Sequence, residues 1–258
     1  MSEVRFPSEG FDLAGNLAMP SALRVDLPGV VVCHGYPSGP VRASGSGATY
    51  PELASRIAEH IALPALAFRF RGCNGSSGNF SMAGWLTDVH AAIDYLRAES
   101  GVTRVLVAGF GTGGALGICA GAARDDVSGV AALGAPADFD DWANHPRRLV
   151  QHARDVGAVH DKRFPLNFDA WARELREIRP VEDVAHLAPR PLLVVHGSDD
   201  EAVPHFDARV LSDAHGSAEL RILAGAGHAT RHDPRAIAIL IGWLERQKDP
   251  AGAPAARP

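Results

Sequence analysis

The sequence predicts an α/β fold in which helices cover both faces of a mostly parallel, twisted sheet. Short apolar runs typical of strands alternate along the chain with longer segments that carry one apolar face, as helices do. The run 29–33 is apolar throughout apart from its glycine, which is typical of a strand buried on both faces. Regular strand–helix alternation favours parallel strands, because each crossover helix packs back onto the sheet. With 258 residues, 46% of them hydrophobic, the chain can form such a domain with a sizeable core.

The predicted elements run from an N-terminal hairpin to a C-terminal helix. Residues 3–19 are expected to form an edge hairpin with Gly10 near its turn. The remaining apolar runs predict strands at 29–33, 63–70, from 105, 129–133, 191–196 and 219–223. Amphipathic spacing, such as Leu53, Ile57 and Ile61 at intervals of four, predicts the helices. These lie at 50–61, 85–97, from about 115, and 236–246.

Residues 142–187 break this rhythm. They carry many charges and the aromatic residues Trp142, Phe164 and Trp171, but no strand-like run. We expect them to form a small helical cap, inserted at about 138–187 in a single domain of residues 1–248. The cap aromatics favour a partly apolar pocket beneath it. Residues 249–258, dominated by alanine and proline, are expected to be a disordered tail.

Composition narrows the class of protein. The formal net charge of −5 gives no reason to expect nucleic acid or an anionic membrane as a partner. There is no apolar run of membrane-spanning length and no apolar core of a signal peptide near the N-terminus. The three cysteines, Cys33, Cys73 and Cys119, suggest neither a disulfide framework nor a zinc site. We therefore expect a cytoplasmic protein that binds a small molecule and needs no metal or cofactor.

The segment 105–114 is the most informative stretch. It reads as a strand, a tight glycine turn and the small-residue start of a helix, which is the form of a nucleophile elbow, G-x-S-x-G. Gly109 and Gly113 take the outer positions, and Gly111 stands at the centre, where the attacking serine belongs. A simpler interpretation is that glycine suits a strained turn. The spacing does not fit the dinucleotide-binding fingerprint G-x-G-x-x-G.

Two further motifs follow in the order that an elbow enzyme requires, first an acid and then a histidine. The segment 196–204, HGSDDEAVP, comes directly after a predicted strand. The segment 224–228, AGAGH, comes directly after the last one. Loops after parallel strands meet at one edge of the sheet, so these segments and the elbow are expected to lie together.

With these motifs the chain resembles the α/β-hydrolase superfamily, particularly its esterase, acyl-peptidase and serine-aminopeptidase-like branch. The resemblance covers roughly residues 10–247 and leaves the cap unmatched. It implies an α/β-hydrolase fold, with Asp200 as the catalytic acid and His228 as the base. Asp199 is the alternative acid, at the wrong offset in the motif. The loop 70–78 resembles the F-R-G-x-G-x-S-x-G loop of this branch, except that Asn74 replaces a glycine.

The same resemblance implies an oxyanion hole and a substrate-binding edge. The loop His34-Gly35-Tyr36 matches the segment that donates an amide to the oxyanion, here that of Tyr36. The amide of Thr112, just after the nucleophile position, is the second expected donor. His34, Gly35 and Phe110 are expected to border the substrate.

The chain thus keeps the residue types for a base, its orienting acid and oxyanion donors, and lacks the atom that attacks. Thr112 carries a hydroxyl but stands one residue after the position of the nucleophile. Three functions remain open. The first is weak hydrolysis of a small, partly apolar ester or amide through activated water. The second is proton transfer by His228 and Asp200, as in a lyase, isomerase or cyclase. The third is a binding or regulatory protein with a retired site, or a hydrolase disabled at position 111.

Overall fold

A computed structural model describes residues 1–37 and 43–248. Eight strands form one sheet in the order β1-β2-β4-β3-β5-β6-β7-β8. The strands are β1 (Ser2–Ser8), β2 (Phe11–Ala18), β3 (Gly29–Cys33), β4 (Ala65–Phe68), β5 (Val105–Phe110), β6 (Val127–Leu133), β7 (Leu192–Gly197) and β8 (Glu219–Leu223). β1 and β2 form the predicted edge hairpin and join β4 antiparallel, and the other neighbours pair in parallel. The predicted mostly parallel sheet is confirmed.

Nine α-helices lie within the described residues. They are α1 (Tyr50–His60), α2 (Met82–Ser100), α3 (Thr112–Ala123), α4 (Asp140–Asn144), α5 (Pro146–Val156), α6 (Phe168–Glu177), α7 (Pro180–Leu187), α8 (His205–His215) and α9 (Pro234–Lys248). None of these helices is long and apolar enough to span a membrane.

The sheet separates two hydrophobic cores. β3 shows how: Val30 and Val32 face the core formed with α1 and α9, whereas Val31 and Cys33 face the core formed with α2, α3, α7 and α8. This alternation follows from the two-residue period of side chains along a strand. Because both faces are covered, the central strands are apolar at most of their positions.

The segment between β6 and β7 differs in one respect from the expected cap. α7 packs against α3 and α8 and so belongs to the helical layer on one face of the sheet. α4, α5 and α6 pack mainly on one another, and α6 also contacts α2. The sequence-based interpretation also missed α8, whose buried residues are Ala208, Leu211 and His215. The predicted tail, 249–258, lies outside the described residues.

Candidate active site

Gly111 forms the turn between β5 and α3. Its φ of +52° and ψ of −126° belong to a region that L side chains rarely adopt. Its amide donates to the Leu133 carbonyl at 2.8 Å, and its own carbonyl accepts from the amides of Gly114 and Ala115. These hydrogen bonds tie the turn to the neighbouring strand on one side and to the new helix on the other. The backbone therefore has the sharp strand–turn–helix form of a nucleophile elbow.

The three glycines of the motif are needed for different reasons. A Cβ on Gly109 would lie 2.3 Å from the Gly113 carbonyl oxygen, and one on Gly113 would lie 2.3 Å from the His34 carbonyl oxygen. Those two positions therefore exclude any side chain. At Gly111 the nearest atom to a Cβ is Nε2 of His228 at 3.5 Å, an ordinary contact. A side chain at position 111 has room and would face the imidazole.

His228 is held by Asp200. Its Nδ1 lies 2.9 Å from Asp200 Oδ2 and donates to it, because an ionised carboxylate only accepts hydrogen bonds. In the neutral ring the second nitrogen, Nε2, then carries the lone pair, and it lies 3.5 Å from the side-chain position of Gly111. The His228 side chain is 33% exposed, whereas that of Asp200 is fully buried. This is the arrangement of a general base with its orienting acid.

Asp200 has other hydrogen-bond partners besides His228. Its Oδ1 accepts from the amides of Ala202 and Val203, both at 2.9 Å, and its Oδ2 also lies 3.1 Å from Nε2 of the buried His196. Burial alone would raise the pKa of Asp200. The hydrogen bonds from His196, His228 and the Val203 amide outweigh it and leave the pKa well below its usual range. The carboxylate is thus kept ionised beside the base.

Asp199, the alternative acid, does not reach His228. Its Oδ1 instead accepts from the Ser198 hydroxyl at 2.6 Å. The offset in the motif explains the difference, because Asp200 is the residue whose carboxylate is wrapped by the following turn.

The loop after β3 lies on the other side of the elbow. The Cα of Gly35 is 3.6 Å from a Cβ built on Gly111, so position 111 stands between this loop and His228. Thr112 begins α3, and the first amides of a helix have no acceptor within it. They also lie at the positive end of the helix dipole. The Thr112 amide, together with that of Tyr36 in the facing loop, is the kind of donor that stabilises an oxyanion.

His34 anchors this loop. Its Nε2 accepts from the Phe70 amide at 3.2 Å, so the proton resides on Nδ1, which donates to the Gly35 carbonyl at 2.7 Å. Burial lowers the pKa of His34 to about 4. The ring is therefore neutral at pH 7 and joins the loop to the end of the neighbouring strand.

The loop 70–78 also serves as an anchor. The buried Arg71 pairs with Asp88 of α2 at 2.7 Å, and the Trp85 indole donates to the Arg71 carbonyl. Asn74, which replaces the expected glycine, has a φ of +32°. Asparagine tolerates this left-handed region better than most residues, so the turn survives the replacement.

A cavity of about 390 Å³ opens beside His228. Its wall comes from the elbow, α4, α5, α8 and the loops after β3, β6, β7 and β8. The lining residues are Tyr36, Thr112, Pro136, Asp138, Phe139, Asp140, Asp141, Trp142, Leu149, His152, Ala202, Val203, Pro204, Asp207 and His228. Its size is in the range of small-molecule sites.

None of the three residues expected to border the substrate, His34, Gly35 and Phe110, is among the described lining residues. Tyr36 and Thr112, the expected oxyanion donors, do line the cavity. The ring of Phe110 is buried and packs against Tyr50, with their centroids 5.2 Å apart.

Of the three cap aromatics, only Trp142 lines the cavity. Trp171 is buried, and its indole donates to the Phe80 carbonyl at 3.2 Å. Phe164 packs against the core at its edge. Trp171 and Phe164 therefore stabilise the cap rather than shape the pocket.

Several lining residues carried no recognisable signal in the sequence. His152 was one histidine among many, yet its ring lies 5.8 Å from that of Tyr36. Asp138 and Asp207 are far apart in the chain and meet only because α8 returns to the end of β6. A carboxylate just after a strand end, as at Asp138, is the one cue that could have identified them.

Two curated relatives share part of this chain. The uncharacterized protein Rv2307c of Mycobacterium tuberculosis is 28% identical over 203 residues, which cover 78% of this chain and 63% of the relative. The uncharacterized protein YfhR of Salmonella typhi is 27% identical over 154 residues, which cover 56% of this chain and 47% of the relative. The matched region thus spans less than two thirds of either relative's length.

Solved structures resemble nearly the whole chain. Est1E of Butyrivibrio proteoclasticus, solved with bound ferulic acid, superposes with a TM-score of 0.71 at 22% identity. The two structures cover 94% of this chain and 96% of Est1E. The α/β hydrolase GrgF of Penicillium sp. sh18 gives a TM-score of 0.73 at 18% identity, over 96% and 98% of the two chains. At these identities the likeness establishes a shared fold.

The model of the alpha/beta hydrolase family matches residues 30–239, a span that includes the elbow, Asp200 and His228. The match covers well over half of the sequence. The chain belongs to the alpha/beta hydrolase family.

Proposed function

We propose that this protein binds a small, partly apolar ester or amide in the cavity beside His228 and hydrolyses it slowly with an activated water. The observation that carries the proposal is the position of Gly111. Its side-chain site lies 3.5 Å from Nε2 of His228 and 3.6 Å from Cα of Gly35. The base thus faces the point from which attack on a carbonyl would come.

In the proposed reaction, water replaces the serine hydroxyl. His228 Nε2 accepts a proton from the water as its oxygen attacks the carbonyl carbon. The amides of Tyr36 and Thr112 stabilise the oxyanion that forms. The tetrahedral intermediate then collapses, and the imidazolium returns the proton to the leaving oxygen or nitrogen. Asp200 stabilises the imidazolium throughout but does not take up the proton.

Such a reaction is expected to be slow. Removing the nucleophile of a serine-hydrolase triad costs about a millionfold in kcat, and the oxyanion hole and binding retain roughly 10³–10⁴-fold over water. Because Gly111 has no side-chain oxygen, no covalent acyl-enzyme can form at position 111. Direct attack by water therefore predicts steady-state turnover without a burst of product.

The test uses p-nitrophenyl esters of short acids with three proteins: the wild type, His228→Gln and Gly111→Ser. We expect slow, burst-free turnover by the wild type and its loss in His228→Gln. Gly111→Ser should show an initial burst of p-nitrophenolate, because serine would form an acyl-enzyme that water then hydrolyses. Wild-type turnover that survives His228→Gln would refute the proposed role of the base.

Arg209→Ala provides a matched control for handling and background hydrolysis. Arg209 lies on the exposed part of α8, outside the described lining of the cavity. Its replacement should leave the ester kinetics unchanged. A wild-type rate no greater than that of buffer would also count against the hydrolytic proposal.

A further inference from the structure

The cavity wall carries an unbalanced negative charge. Four carboxylates line it, and the described lining residues include no lysine or arginine. The carboxylates are those of Asp138, Asp140, Asp141 and Asp207. Within residues 1–37 and 43–248, Asp140 is the one of the four that forms an ion pair, with Arg179 at 3.1 Å. A neutral ester would leave the other three charges without a counterion.

The two half-buried carboxylates are fixed in place. Asp207 Oδ2 accepts from the Ala137 amide at 3.0 Å, and Asp138 Oδ1 accepts from the Asp140 amide at 2.9 Å. Burial raises the pKa of Asp207, and the nearby charges of Asp138 and Asp141 raise it further despite the hydrogen bond from Ala137. The carboxylates therefore repel one another, and a cation between them would relieve that repulsion.

Aromatic rings stand beside these carboxylates. Trp142 lines the cavity with Phe139 and Tyr36, whose ring centroids lie 5.6 Å and 5.0 Å from its own. Ring faces attract organic cations, most strongly those of tryptophan. In addition, the buried Tyr36 Oη has no hydrogen-bond partner among the described residues. The wall thus offers both charge and polarisable surface to one ligand.

The carboxylates are not arranged for a metal ion. Among residues 1–37 and 43–248, no three Asp, Glu, His or Cys side chains converge closely enough to hold one. Charge spread along an aromatic wall suits a larger cation with a diffuse charge, such as an alkylammonium group.

We infer that the cavity selects carbonyl substrates that carry an organic cation, a protonated amine or a quaternary ammonium group. The inference rests on the proposed function and names its substrate class. His228 and the elbow act on the carbonyl, while Asp138, Asp207 and Trp142 receive the cationic end. The carboxylates thus determine which ligand charge the cavity favours, while His228 and the elbow fix where the carbonyl lies.

The test compares two p-nitrophenyl esters of the same shape. One is the ester of γ-(trimethylammonio)butyric acid, and the other is its isostere with a tert-butyl group in place of trimethylammonium. A second pair, butyrylcholine and its tert-butyl isostere, carries the trimethylammonium or tert-butyl group on the alcohol side of the ester. In Gly111→Ser, kcat/KM for the cationic member of at least one pair should be about tenfold higher. The preference should shrink as salt is added, because salt screens exposed charges.

The variants Asp138→Asn and Asp207→Asn, combined in the Gly111→Ser background, should bring that ratio close to one. Asparagine retains an oxygen that accepts from the Asp140 and Ala137 amides, so the fold is expected to be preserved. The control combines Asp169→Asn and Asp213→Asn. Both are exposed and outside the described cavity lining, and they change the net charge equally. This control variant should still prefer the cationic ester. If it loses that preference, the effect comes from overall charge and the inference is overturned.

A second readout does not depend on turnover. The primary amides of the two butyric-acid analogues are titrated calorimetrically into the wild type, where we expect the cationic amide to bind more tightly. If the wild type hydrolyses the esters, Gly111→Ser cleaves both members of each pair equally and the amides bind equally, the inference is overturned while the proposed function stands. If no ester is cleaved but the cationic amide binds preferentially, the proposed function fails and the charge selection stands.

Discussion

Replacing Gly111 by serine should destabilise the protein even though it introduces the residue that the chemistry needs. The reason is the backbone, whose φ of +52° and ψ of −126° disfavour any L side chain. Strain of this kind costs about 1–3 kcal/mol. Steric overlap adds little, because the nearest atom to the new Cβ lies 3.5 Å away. For a domain of this size the cost corresponds to a fall in Tm of about 2–12 °C.

Three other glycines serve as comparisons. Gly109→Ala and Gly113→Ala force a Cβ to within 2.3 Å of a backbone oxygen, and each should cost at least about 3 kcal/mol. At Gly227 a Cβ meets nothing closer than 3.9 Å. Gly227→Ala should therefore leave the stability unchanged or raise it by up to about 1 kcal/mol.

The assay is thermal and urea unfolding of the four variants beside the wild type. The expected order of stability is Gly227→Ala at or above the wild type, then Gly111→Ser, then the two outer glycine variants. A Tm for Gly111→Ser equal to or above that of the wild type would refute the strained-elbow interpretation of position 111.

Two further predictions concern the groups around the elbow. In the Gly111→Ser background, Asp200→Asn should lower kcat for a p-nitrophenyl ester by roughly 10⁴-fold, because it leaves His228 in the wrong tautomer. Asp199→Asn, its matched control, should change kcat little, and equal losses in both would contradict the assignment of Asp200. The second prediction is that the free energy of unfolding depends on pH through His34. Its pKa of about 4 when folded lies below the ordinary value of 6.5, so between these values the unfolded chain binds more protons and stability falls as the pH falls. His34 should lower the free energy of unfolding by about 3 kcal/mol between pH 6.5 and pH 4. That slope should lessen in His34→Gln, and an unchanged slope would contradict a neutral, buried His34.

Much of the fold followed from the sequence because its strands are buried on both faces. Runs such as 29–33 and 105–110 are apolar without interruption, and each ends in a loop with a recognisable motif. α8 was missed because it buries only a few residues, among them a histidine. The place of α7 was missed because a short amphipathic helix gives no sign of which layer it joins.

The geometry of the candidate site was predictable for a similar reason. Gly111, Asp200 and His228 each follow a strand of one parallel sheet, so topology alone brings them to the same edge. The lining of the cavity beside His228 was not predictable in this way. His152 and Asp207 reach it from separate helices, and their meeting depends on how α5 and α8 pack. The sequence could not tell that Trp171 faces the core, because an aromatic residue in a cap gives the same signal whether it faces a pocket or a core.

We propose that this chain has a serine-hydrolase site that is complete except for the attacking hydroxyl. The most direct test is reaction with a fluorophosphonate, which phosphonylates an activated serine whatever the natural substrate, followed by intact-mass analysis. We predict that folded Gly111→Ser gains one adduct at position 111, that the wild type gains none, and that adding His228→Gln slows the labelling severely. A folded Gly111→Ser protein that remains unlabelled, or that is labelled as quickly without His228, would contradict the claim.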